Sequence, residues 1–123
     1  EGVLNFPQLN LQQGVYGKTA SNIFTMEVNC NQLVVENNNT TIFRIKGTTS
    51  NLSVAFYGGD PRFEGENLSA TDVYVFQRSS NDIIVKPLNK IEGDIYSNGN
   101  LVLTHQPPIV NVNQHYTGHI VYQ

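Results

Sequence analysis

Apolar and polar residues alternate with a period of two in short runs along the whole chain, and clusters of Asn, Gly, Ser, Asp and Pro separate the runs. Successive side chains of a strand point to opposite faces, so this pattern predicts strands. They fall near 3–6, 14–17, 23–30, 32–36, 41–46, 52–57, 72–78, 82–86, 92–96, 101–104, 109–112 and 116–122. In 23–30, Phe24, Met26, Val28 and Cys30 share one face, and Thr25, Glu27 and Asn29 share the other. Phe43 and Ile45 oppose Arg44 and Lys46 in the same way, and Leu52, Val54 and Phe56 form a third apolar stripe. No segment carries helical periodicity, and no internal repeat stands out.

Turn chemistry sets the boundaries. Glu36-Asn37-Asn38-Asn39, Ser79-Ser80-Asn81-Asp82 and Ser97-Asn98-Gly99-Asn100 each separate two strands. Asn-Gly favours a tight hairpin because both central residues must tolerate positive φ, so 92–104 reads as an antiparallel meander. Two prolines in "HQPP", 105–108, remove ladder donors and break the pattern. The longest stretch without clear alternation is 58–71. Together these features predict an all-β fold: a single antiparallel β-sandwich over 1–123, immunoglobulin-like or jelly-roll.

Composition narrows the function classes. Charged residues are 14% of the chain, and seven Lys plus Arg against ten Asp plus Glu leave a net charge of -3. Nucleic-acid affinity rests on a dense basic face, which is missing here, and the same lack disfavours a membrane-surface role. No apolar run approaches the roughly 20 residues of a membrane span. The chain opens at Glu1-Gly2-Val3 without a leader pattern, so it reads as a mature or excised domain. Asn, Thr and Ser stand where Lys and Glu are usual, which suits an exported protein, extracellular or at the cell surface. Cys30 is the single cysteine, so neither an internal disulfide nor a paired-cysteine zinc site can form. Sequons at Asn38, Asn39, Asn51 and Asn67 are expected by chance in such a composition.

Candidate chemistry concentrates in "YGGDPRFEGEN", residues 57–67. Sugar sites combine carboxylates, amides and guanidinium groups, which bridge hydroxyls, with an aromatic face for the C–H side of the ring. Tyr57, Asp60, Arg62, Phe63, Glu64 and Asn67 supply each ingredient. The alternative is structural, with Arg62 paired to Glu64 or Glu66 and Phe63 plugging the end of the sandwich. Calcium ligation by Asp60, Glu64, Glu66 and Asn67 lacks the spacing of a calcium loop. His115 and His119 share one strand face about 13 Å apart, too far to chelate one metal. Cys30 lies on an apolar face, away from the electropositive setting a nucleophilic thiolate needs. The three carboxylates of one loop do not flank a substrate as glycosidase chemistry requires. No enzyme, metal or cofactor is therefore expected.

The chain ends "NQHYTGHIVYQ", where Tyr116, Gly118, Ile120 and Tyr122 alternate on one face. A glycine in mid-strand and a tyrosine beside the end resemble the closing strand of bacterial fimbrial subunits assembled by the chaperone-usher route. The resemblance covers that strand and the general composition. It implies an immunoglobulin-like sandwich completed by a neighbouring subunit's strand, with Tyr116 to Tyr122 as the assembly edge. Two features depart from the family: Pro7 interrupts any N-terminal donor segment, and the disulfide common in such subunits cannot form. The expected function is adhesion, as a fimbrial subunit or tip adhesin recognising a glycan or host receptor. The alternative is an oligomeric receptor-binding head of a phage or virus, or a small secreted lectin.

Overall fold

The computed structural model describes residues 3–4, 8–12, 23–37 and 40–123. The expected strand 14–17 lies outside them, as do Asn38 and Asn39 of the first expected turn. Nine strands are formed among the described residues: β1 (Val3–Leu4), β2 (Gln8–Gln12), β3 (Ile23–Asn37), β4 (Ile42–Phe56), β5 (Arg62–Gln77), β6 (Ile83–Ile95), β7 (Leu101–Leu103), β8 (Ile109–Gln114) and β9 (Ile120–Tyr122).

Every one of the pairings between them is parallel. That overturns the antiparallel sandwich, because neither an immunoglobulin-like fold nor a jelly-roll can be built from parallel ladders alone. The chain is a β-solenoid, a stack of coils in which each strand lies beside its counterpart in the next coil. The expected meander over 92–104 falls with it. Residues 101–103 pair with 83–85, and 90–95 pair with 109–114, so β6 and β7 are not hairpin partners. Gly99 does not have positive φ either, so Asn98-Gly99 is not the expected hairpin turn.

The coils repeat every 18 to 20 residues along the column Phe43, Phe63, Ile83, Leu101 and Ile120. A repeat is thus present after all, carried by position and not by residue identity. Strands β3 to β6 are long, 13 to 16 residues, because each runs along both faces of the coil and bends between them. Residues 23–30, 42–46, 62–64, 83–86, 101–103 and 120–122 make the leading face. Residues 32–37, 51–56, 72–77, 90–95 and 109–114 make the trailing face. Between β7 and β8 the bend is fully broken at 104–108, where the prolines were expected to interrupt the pattern.

Inward side chains of the two faces meet. The Phe43 ring of the leading face stacks on Phe56 of the trailing face at 6.1 Å. Leu33, Leu52, Val73 and Ile91 form one buried column, and Val35, Val54 and Val75 form another that continues to Gly93. Each large apolar side chain so buried contributes roughly 1.5–3 kcal/mol. Cys30 is buried as expected, with its thiol 3.7 Å from the Thr49 hydroxyl. At Gly93 the backbone has φ of +145°, and a Cβ there would collide with the Val75 carbonyl oxygen. Only glycine lets the two rungs approach at that point.

Turns stack as strictly as strands. Residues 57–61, 78–82, 96–100 and 115–119 lie above one another, joined by bonds such as Ser80 N to Gly59 O, Gly99 N to Ser79 O and Gly118 N to Ser97 O. The single strand expected over 116–122 is therefore a turn followed by the short β9, which pairs in parallel with β7. Gly118 is buried against the Gly99 carbonyl, Ile120 is half-buried, and Tyr116 and Tyr122 are exposed. Alternation across Tyr116, Gly118, Ile120 and Tyr122 arose from two different local structures.

Candidate functional site

The 57–67 segment does not form one loop. Residues 57–61 are a stacked turn, and β5 begins at Arg62. Phe63 points into the core and is fully buried. Arg62 and Glu64 alternate outward on the leading face, where an ion ladder crosses the rungs. Arg44 Nε donates to Glu64 Oε1 and Arg62 Nε to Glu64 Oε2, both at 2.9 Å, and Arg62 also lies 3.5 Å from Asp82. The Arg62 hydrogen bond first, then Arg44, holds the Glu64 carboxyl below its ordinary value. Asp60 is exposed in the turn, and its carbonyl accepts from the Asn81 amide at 3.2 Å. Asn67 is exposed beside a small recess of about 190 Å³ that Arg44, Lys46, Glu64 and Glu66 also line.

Tyr57 belongs elsewhere. It ends the trailing face, and its ring lies 5.5 Å from Phe76 of the next rung. Phe76 lies 5.4 Å from Tyr96, and Tyr96 stacks flat on His115 at 4.3 Å. Tyr57, Tyr96 and His115 hold matching places just past the trailing-face strands, and Phe76, two residues before that column and paired with Ala55 and Asp94, fills the space between Tyr57 and Tyr96. The result is a ladder over four rungs with Tyr57 and Tyr96 half-exposed. Its two ends are anchored. The Tyr57 hydroxyl donates to Glu36 at 3.4 Å, and the part of the ring against the sheet is desolvated; that burial first, and Glu36 second, raise the phenol's pKa. His115 Nε2 lies 3.0 Å from Asp94, which also accepts from Asn113, and these two bonds, His115 first, lower the Asp94 pKa.

Beside this ladder the trailing face presents two outward columns: Gln32, Asn51, Asp72 and Lys90, then Ser53, Tyr74 and Glu92. They enclose a shallow groove of about 280 Å³. Tyr74 rises from it with 41% of its surface exposed. Asp72 accepts from Asn89 at 2.9 Å, and Lys90 reaches Glu92 at 3.7 Å. A tyrosine face among amides and carboxylates can stack on a ring and accept hydrogen bonds from hydroxyl or amino groups. Carboxylates, amides and an aromatic face, without a guanidinium group, thus come together in this groove, and Tyr57 is the one residue of the 57–67 set placed in the adjoining ladder.

Sequence reasoning missed Tyr74, Phe76, Tyr96 and Glu92 because they are far apart along the chain. The usable signal was the recurrence of Tyr57, Tyr96 and His115 just after the trailing-face strands. His115 and His119 fall in the last turn and not on one strand; His119 Nδ1 lies 3.2 Å from the Thr117 carbonyl oxygen.

Coiled parallel strands that display one aromatic face over several rungs define a β-solenoid display domain, a rigid scaffold whose surface pattern is set by its repeat. Residues 1–107 match the family described as "Putative auto-transporter adhesin, head GIN domain", and the chain belongs to that family. The family makes it a bacterial adhesin-like domain and points to the cell surface, but it does not describe a chaperone-usher fimbrial subunit. The strand-completed sandwich implied by the fimbrial resemblance is incompatible with the parallel coils. No curated protein and no solved structure matches the chain significantly.

Proposed function

We propose that the domain binds, without chemical conversion, a glycan on an opposing surface, and that the trailing face makes the contact. The observation that carries this reading is Tyr74, rising from a groove lined by Asn51, Asp72 and Glu92 beside the Tyr57–Phe76–Tyr96–His115 ladder. Aromatic surface held by a rigid sheet is already ordered, so little conformational entropy is lost when a ligand stacks on it. Membership of an adhesin family supports the same reading.

Beads coated with the domain and presented to cells provide the test. Adhesion should fall after mild periodate oxidation of the cells, which cleaves sugar diols, and should also fall when Tyr74→Ala and Tyr96→Ala are combined. Exposed tyrosines suit a protein receptor as well. Adhesion abolished by protease treatment but indifferent to periodate would replace the glycan with such a receptor, and adhesion unaffected by the tyrosine changes would remove the trailing face from the reading.

A further inference from the structure

Resting on that assignment of the trailing face, we infer that its ligand is a neutral oligosaccharide lying along the solenoid axis, not a sialylated, uronate-rich or sulfated one. Orientation follows from the lining of the groove. Gln32 comes from β3, Asn51 and Ser53 from β4, Asp72 and Tyr74 from β5, and Lys90 and Glu92 from β6. A ligand touching all of them crosses four rungs, a span of roughly 14 Å at the spacing of parallel strands. That length accommodates a trisaccharide.

Charge sets the class. The outward columns of the trailing face carry Glu36, Asp72, Glu92 and Asp94 against Lys90, and Lys90 is already paired with Glu92. Among the described residues, Arg78 stands in the stacked turn at the border of this face as a further cation. A carboxylate or sulfate laid in the groove would meet an excess of like charge at close range, which costs affinity and disfavours that ligand class. Hydroxyl groups meet the reverse situation. Asp72 and Glu92 are strong acceptors for O–H donors, Asn51 and Gln32 both donate and accept, and Tyr74 offers its ring face to the C–H side of a sugar.

The test uses the 123-residue chain and two panels of immobilised probes. One holds neutral oligomers of mannose, galactose and N-acetylglucosamine; the other holds sialyllactose, polygalacturonate and heparin. Binding should be confined to a neutral series and should strengthen up to about three units before levelling, as the rung spacing requires. Tyr74→Ala should weaken it about tenfold. The double variant Asp72→Asn, Glu92→Gln should weaken it by a similar factor, because charge-assisted acceptors become neutral ones. All three side chains lie on the surface, and an unchanged melting temperature checks that the fold is intact. Binding confined to the acidic panel, and strengthened by the Asp72→Asn, Glu92→Gln pair, would overturn the neutral class while leaving glycan recognition standing. Binding to neither panel would remove glycan recognition and this inference together.

Discussion

Gln77 shows how a single residue can tie the coils together. It is fully buried between Phe56 and Ile95, its column neighbours on the adjacent rungs, yet none of its polar atoms is wasted. Its amide nitrogen donates to the carbonyls of Asn81 at 2.8 Å and Asn100 at 3.2 Å, while its oxygen accepts from the Ser79 hydroxyl at 2.6 Å. One side chain thus fastens two stacked turns. Gln77→Ala should cost roughly 1–3 kcal/mol in urea unfolding, since it strands those buried partners. Glu64 has a different signature. Its carboxyl is held below the ordinary value in the folded chain, so its contribution is present above the unfolded-state pKa and is lost as pH falls through the folded one. Glu64→Gln should flatten the acid side of the stability–pH curve, read by thermal melts from pH 7 down to about 3. Arg62→Ala removes the centre of the same ion ladder. It should leave binding at the trailing face unchanged, whereas a loss of binding with an intact fold would restore the 57–67 segment as the contact site.

For each element, the residues reveal which side faces inward much better than they reveal which strand lies alongside. Val28 and Cys30 of the first expected stripe, Phe43 and Ile45 of the second, and Leu52, Val54 and Phe56 of the third are buried, while the side chains of Phe24 and Met26 lie outside the described ones. Alternation reports only that a strand has one apolar side, and a parallel coil alternates just as an antiparallel sandwich does. Pairing direction depends on what the turns do, and Asn98-Gly99 carries hairpin chemistry while serving as one step in a stack of turns. The repeat was hidden because its columns exchange Phe for Ile and Leu, so the period lies in burial and not in letters. The candidate face was equally hidden, since its members sit one coil apart in sequence. Gly93 was legible only once the coils were known. Gly93→Ala should destabilise the chain by roughly 1–3 kcal/mol, because the residue would need both an unfavourable φ and a shift of the Val75 carbonyl. Chemical denaturation of the two proteins side by side gives the value, and equal midpoints would show that the rungs can part there at little cost.

Across the whole molecule, contacts run from each rung to its neighbours, so stability is approximately a sum over rungs. A chain ending after Pro108 should therefore keep a β-type circular dichroism spectrum and unfold at a lower denaturant concentration. Complete loss of structure would mean that the last rung is needed for folding and that the rungs are not additive. The same arrangement has a mechanical meaning for a domain in the adhesin class. A pull on its C-terminal end would act on the last rung first, opening its ladders one bond after another while the earlier rungs still hold. Each rung freed would pay out a length of chain of about 60–70 Å, since 18 to 20 residues extend at roughly 3.3–3.6 Å apiece. Stretched between two surfaces, such a coil would give way in small equal steps, dissipating load that would otherwise reach the adhesive contact.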